Sequence, residues 1–222
     1  VEIRASELGL GVNEGARVYV LPCIAGHVGA DAAGVVLAEA PQKAEINTLV
    51  VDVGTNAEIV VGNSKRMLAA SSPTGPAFEG AQISSGQRAA PGAIERIRID
   101  KDTLEPCFRV IGVEQWSNED GFDEAVKSTG ITGICGSGII EVLAEMYLSG
   151  ILSTDGVIDG TVAARTPRIE EDGRTFAYRV AENVVVTQND VRAIQLAKAA
   201  LHAGFRLLMD KMELKKVDRV VL

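Results

Sequence analysis

Cysteine and histidine are scarce in this chain of 222 residues, and positive charge is never concentrated. Its three cysteines, Cys23, Cys107 and Cys135, stand far apart, no Cys-x-x-Cys occurs, and the only histidines are His27 and His202. A zinc site or a four-cysteine iron–sulfur cluster cannot be built from these residues alone. All three cysteines read instead as buried small apolar side chains in a reducing cytosol, and the expected location is cytoplasmic. Net charge is −8 and no long run of Lys or Arg occurs, which argues against nucleic acid and anionic membrane surfaces as partners. No apolar run of about 18 residues and no signal peptide are present, so no membrane span is expected. Two nucleotide signatures are also missing. No Gly-Lys-Ser/Thr closes a P-loop, and no Gly-x-Gly-x-x-Gly opens a helix directly after a strand.

What remains is ordinary for a cored globular protein, with 46% apolar and 23% charged residues. The length suits one large domain or two small ones. The chain opens on Val1 without a methionine and closes on Val217-Asp218-Arg219-Val220-Val221-Leu222, which reads as a strand stopped before its turn. The expectation is a piece of a longer protein.

Strand and helix patterns alternate, which predicts an α/β fold. Arg17 to Pro22 reads as a strand, and Ala32 to Ala40 as a helix stopped by Pro41. Thr48 to Val53 and Ala57 to Gly62 predict a hairpin, with Arg66 to Ala70 as a third strand. Ser71 to Gly92 is a long Gly/Ser/Pro/Ala-rich stretch, of the kind that is functional or mobile in compact domains. Ile94 to Asp100 and Phe108 to Val113 predict strands of a meander, and Ile139 to about Leu148 a helix. A hairpin is expected around Asp172-Gly173. The last helix is expected to be capped by Asn189, with Asp190 at its positive end. Val191, Ile194, Ala197, Leu201, Phe205, Leu208 and Met212 recur at spacings of three and four, and this stripe reads as core.

Three loops hold residues with chemistry. The first is Asp52-Val53-Gly54-Thr55-Asn56, between two β-branched runs. Such a tip presents a carboxylate, a hydroxyl and backbone N–H groups, which can hold a phosphate and a hydrated Mg²⁺. It also fits a plain hairpin in which Asp52 ends a strand. The second is Gly133-Ile134-Cys135-Gly136-Ser137-Gly138, before an apolar helix. Its glycines permit close backbone approach, and free N–H groups at a helix start attract anions. Ser137 as a plain N-cap is the alternative. Cys135 has no histidine nearby in sequence to act as its base, which argues against a catalytic thiol. The third is Gly75-Pro76-Ala77-Phe78-Glu79-Gly80, followed by Arg88 in the same long loop. Arg88 can pair with Glu79 or hold an anion, and pairing is the plainer use.

Taken together, these stretches resemble a known family. Asp52-Val53-Gly54-Thr55-Asn56 with Glu58 is similar to the phosphate-binding hairpin of acetate and sugar kinases, Hsp70 and actin. Leu21 to Asp31, Gly75 to Ser84, Arg88 to Ile94, Gly133 to Gly138 and Thr187-Gln188-Asn189-Asp190-Val191-Arg192 resemble the reductive activators of corrinoid proteins. The resemblance runs over essentially all 222 residues. It implies an actin-like, ribonuclease H-like ATPase fold, with a central mixed sheet and flanking helices, and a chain, residues 1–222, that is a partial ATPase domain.

Family members also carry a [2Fe–2S] ferredoxin domain, a first phosphate loop and an adenosine loop, none of which is expected here. The implied activity is ATP-dependent return of Co(II) corrinoid methyl carriers to Co(I), with electrons from the [2Fe–2S] domain. Asp52 would position Mg²⁺ or the attacking water, and Gly54, Thr55 and Asn56 would hold the phosphates of ATP. Gly136, Ser137 and Gly138 would line the nucleotide cleft. The implied partner is a corrinoid protein of a methyltransferase system, and a homodimer is compatible. A small-molecule kinase of the same superfamily, with an acceptor pocket around Glu79 and Arg88, is the alternative enzyme. A docking module with a vestigial loop is the non-catalytic alternative.

Overall fold

The computed structural model describes residues 2–222. In chain order the strands are β1 (Glu2–Arg4), β2 (Arg17–Tyr19), β3 (Thr48–Val53), β4 (Ala57–Gly62), β5 (Met67–Ser72), β6 (Ala93–Ile99), β7 (Pro106–Val110), β8 (Gly133–Ile134), β9 (Ile169–Asp172), β10 (Thr175–Ala181), β11 (Val184–Thr187) and β12 (Arg219–Val221). The helices are α1 (Ala30–Glu39), α2 (Phe122–Ala125), α3 (Gly136–Leu148) and α4 (Gln188–Lys211). The chain divides into two compact units, Val1–Pro73 with Leu201–Leu222, and Thr74–Ala200. α4 begins in the second and ends in the first.

The first unit is built on a mixed four-stranded sheet in the order β12-β3-β4-β5. β3, β4 and β5 are antiparallel neighbours, while β12 runs parallel to β3. Alternation sends Leu49 and Val51 of β3, and Ala57, Ile59 and Val61 of β4, to one face. There they pack with Leu208 and Met209 of α4, flanked by Leu201 and Phe205. A glycine inside this helix costs about 1 kcal/mol in propensity. Gly204 has a packing reason, because a Cβ there would lie 2.6 Å from Ile59 Cδ1. β1 and β2 form a separate antiparallel pair.

In the second unit β6 is the centre of a three-stranded sheet, antiparallel to β7 and parallel to β8. β9, β10 and β11 form a second, antiparallel sheet. One core joins them, with Ile94, Ile97, Ile134, Ile139, Met146 and Tyr178 fully buried. Beyond Ile94, β8 no longer covers β6, and α3 takes over. Glu141 and Glu145 of α3 accept the backbone N–H groups of Ile97 (2.7 Å) and Ile99 (3.0 Å). Two helical carboxylates one turn apart thus satisfy an otherwise open strand edge.

The sequence reading places most elements within a few residues, and the differences have physical causes. α3 starts at Gly136, three residues earlier than expected, so Gly136, Ser137 and Gly138 form its first turn. α4 is capped by Thr187, not Asn189. Thr187 Oγ1 accepts the Asp190 N–H (3.2 Å) and Asp190 Oδ2 accepts the Thr187 N–H (2.8 Å), a reciprocal capping box. Asn189 lies inside the helix and is exposed. β11 was not foreseen, since Val184–Thr187 is too short to show a period.

Candidate functional site

β3 and β4 pair in register down to Val53 opposite Ala57, so Gly54, Thr55 and Asn56 alone make the tip. The Gly54 N–H donates to the Asn56 carbonyl (2.9 Å), closing it. Thr55 and Asn56 are exposed and Asp52 is half-buried. The expected hairpin and its expected residues are therefore assembled on one short structure.

The register adds a residue that reading the motif alone did not assign. Asp52 stands directly opposite Glu58, which stands opposite Ser71. These three share one face, and Ser71 Oγ donates to Glu58 Oε1 (3.0 Å). Like charges directly opposite on a sheet are destabilising. A cation at this end of the hairpin would relieve that cost. Mg²⁺ characteristically takes one or two carboxylates and keeps its remaining positions for water and phosphate. The donor set fits such an ion. It does not fit an all-protein metal cage, and no cluster of three or more His, Cys, Asp or Glu suited to a metal exists among the described residues.

The second element lies in the Thr74–Ala200 unit. Phe78, Glu79, Arg88, Cys135, Gly136 and Ser137 line a cavity of about 510 Å³. Glu79 and Arg88 thus share a cavity. Cys135 is buried and its Sγ lies 3.2 Å from Ser137 Oγ. Ser137 does not cap α3, because its hydroxyl donates to the Glu95 carbonyl (3.2 Å) and Cys135 occupies the N-cap position.

The glycines of this loop serve the protein's own packing. A Cβ on Gly136 would fall 1.9 Å from the Phe78 carbonyl oxygen, and one on Gly138 2.5 Å from that of Ile94. Gly138 is buried, while Gly136 and Ser137 remain partly or fully accessible. The structure thus brings Gly136 and Ser137 to the cavity and turns Gly138 into the α3–β6 contact. Asp52, Gly54, Thr55 and Asn56 belong to the other unit.

Of the three cysteines expected to be buried only Cys135 is: Cys107 is half-buried, Cys23 is exposed, and all three are free thiols. They offer no [2Fe–2S] ligand set. No helix among the described residues is long and apolar enough to cross a membrane.

Comparison with known proteins decides the family. The C-terminal domain of RACo, the ASKHA domain, matches residues 46–222, and the RACo middle region matches residues 1–44. The chain belongs to the RACo family. Its fold is accordingly the actin-like ATPase fold, a mixed sheet with flanking helices, as the hairpin motif implied.

Among relatives, a corrinoid activation enzyme, RamQ, of Eubacterium limosum is 31% identical over 231 residues, covering 98% of this chain and 36% of RamQ. A [Co(II) methylated amine-specific corrinoid protein] reductase of Methanosarcina barkeri is 27% identical over 218 residues, covering 90% of this chain and 40% of the reductase. A solved reductive activator for a corrinoid, iron–sulfur protein superposes with a TM-score of 0.79 at 32% identity, covering 99% of this chain and 34% of that structure. This RACo-family chain therefore spans little more than a third of the length of the relatives it matches.

Proposed function

We propose that this chain is the nucleotide-handling part of a longer ATP-dependent reductive activator that returns corrinoid methyl carriers from Co(II) to Co(I). The observation that carries the reading is the β3–β4 tip, with Asp52 half-buried opposite Glu58 and Thr55 and Asn56 exposed beyond it. In this reading the chain supplies the second phosphate loop. The [2Fe–2S] domain, the first phosphate loop and the adenosine loop lie outside these residues. The partner is a cytoplasmic corrinoid protein of a methyltransferase system, and a homodimer is part of the proposal.

Bound Mg·ATP would supply a hydrolysable phosphoanhydride whose turnover drives an uphill electron transfer. The residues do the rest by position and charge, without a covalent nucleophile. Asp52 holds Mg²⁺ or orients the attacking water at the end of β3. The turn at Gly54 presents the backbone N–H groups of Thr55 and Asn56, with the Thr55 hydroxyl, to phosphate oxygens. Gly136 and Ser137 border the nucleotide through the first turn of α3, whose positive end favours an anion, while Gly138 lets that turn pack against Ile94. Closure of a two-domain ATPase around its ligand provides the two-state element that can gate electron transfer.

Equilibrium binding of Mg·ATP to the longer protein tests this reading, compared between wild type and Asp52→Asn. A loss on the order of tenfold or more is expected when the Mg²⁺-facing carboxylate goes. Equal affinity in the two proteins would remove Asp52 from the site. Phosphorylation of a small acid or sugar, without any effect on cobalt, would favour the kinase alternative.

A further inference from the structure

Asp190 is a carboxylate with almost no solvent exposure, at 1%, and without a cation partner among its hydrogen bonds. Burying an ionised carboxylate is costly unless donors surround it. Oδ1 accepts from the Ser84 N–H (2.8 Å) and from Ser84 Oγ (3.1 Å), while Oδ2 accepts from the Thr187 N–H (2.8 Å). A helix cap needs only the last of these. The two bonds to Ser84 reach 106 positions back along the chain, into the long loop before β6.

The gripped segment is stitched on its other side to β8. The Ile134 N–H donates to the Ser85 carbonyl (2.8 Å), and the Gln87 N–H donates to the Ile134 carbonyl (2.9 Å). The Val185 N–H donates to Ser85 Oγ (3.0 Å). Gly86 presses on Gly80, since a Cβ at Gly86 would fall 2.0 Å from the Gly80 carbonyl oxygen. Each end of this frame runs directly into the cavity lining. Glu79 precedes Gly80, Arg88 follows Gln87, and Cys135 follows Ile134.

We propose that Asp190 is a positioning residue: by holding Ser84 it fixes the frame from which Glu79, Arg88 and the start of α3 face the cavity. The functional significance of that cavity rests on the nucleotide reading above, whereas the positioning itself does not.

The test measures the alkylation rate of Cys135 in the folded chain by N-ethylmaleimide, read on its own peptide by mass spectrometry. Cys135 sits at the joint between β8 and α3, so its protection reports the frame. Asp190→Ala is expected to speed alkylation about tenfold or more, because the donors of Ser84 and Thr187 lose their shared acceptor and the loop is no longer tied to the start of α4. Ser84→Ala, which removes the hydroxyl contacts to Asp190 and Thr187 and keeps the backbone bond to Asp190, is expected to speed it measurably and carries the test if Asp190→Ala does not fold. Thr187→Val removes the other half of the capping box and the 3.3 Å hydroxyl contact between Thr187 and Ser84, but leaves both bonds from Ser84 to Asp190, so Cys135 should stay protected at a similar loss of melting temperature. A folded Asp190→Ala or Ser84→Ala protein with wild-type alkylation, or equal exposure in Thr187→Val, would reduce Asp190 to a helix cap and overturn the proposal. The readout needs no nucleotide, so failure of Mg·ATP to bind would defeat the functional reading and leave this one to be decided by Cys135.

Discussion

Tyr178 donates its hydroxyl hydrogen to the backbone carbonyl of Leu104 across 2.9 Å, and both side chains are fully buried. Leu104 holds a left-handed backbone with φ of 63°, a conformation that disfavours a branched apolar residue. The bond therefore secures a strained corner just before β7. Tyr178→Phe leaves the Leu104 carbonyl without that donor, and a loss of about 1–3 kcal/mol in denaturant unfolding is expected. Burial also pushes the Tyr178 phenol well above its ordinary value of 10.0. The unfolded chain releases this proton first, so stability should fall as pH rises past about 10. Tyr178→Phe should flatten that alkaline slope.

Glu141 contributes to acid stability. Burial pushes its carboxyl up, but hydrogen bonds from Arg98, the Ile97 N–H and Arg96 outweigh this and hold it below its ordinary value of 4.5. The folded state thus releases this proton at lower pH than the unfolded chain. Its contribution is present above pH 4.5 and is lost as pH falls through the lowered value. Urea midpoints measured from pH 7 downward should show a shallower acid decline in Glu141→Gln than in wild type, together with lower stability at neutral pH.

Alanine at Gly136 or Gly138 should destabilise although both lie in a helix. The propensity gain is at most about 1 kcal/mol. The added methyl would sit 1.9 Å from the Phe78 carbonyl oxygen in one case and 2.5 Å from that of Ile94 in the other. Backbone must move in both, and a net loss of about 1–3 kcal/mol is expected, larger at Gly136. Chemical denaturation of the two variants measures it, and a stabilised Gly138→Ala would contradict the packing described.

At the start of α4, Thr187→Ala should cost about 1 kcal/mol, a typical value for a lost N-cap. Asn189→Ala, at an exposed position, should be close to neutral. Thermal melts of the pair separate the two candidate caps directly.

These contrasts show what was readable in the residues. The hairpin was legible because Val50, Val51, Ile59, Val60 and Val61 flank a turn-forming trio, so pattern and turn chemistry agree. The core stripe of α4 was legible by period, and its terminus was misplaced because Thr187 and Asn189 are both good caps. Only the bond to Asp190 chooses between them. The roles of Gly136 and Gly138 were hidden because the atoms they admit, from Phe78 and Ile94, are more than forty positions away. Glu58 needed register to stand opposite Asp52, and the grip of Asp190 on Ser84 needed the tertiary fold. The strained Leu104 carried no sequence signal at all.

The central claim is that the Asp52 hairpin couples Mg·ATP to cobalt reduction. The most direct measurement mixes the longer protein with a Co(II) corrinoid protein, a low-potential electron donor and Mg·ATP, and follows cobalt absorbance. The account expects Co(I) to form only with nucleotide, and the rate to fall on the order of 100-fold in Asp52→Asn. Reduction that proceeds equally without ATP, or undiminished in Asp52→Asn, would contradict it.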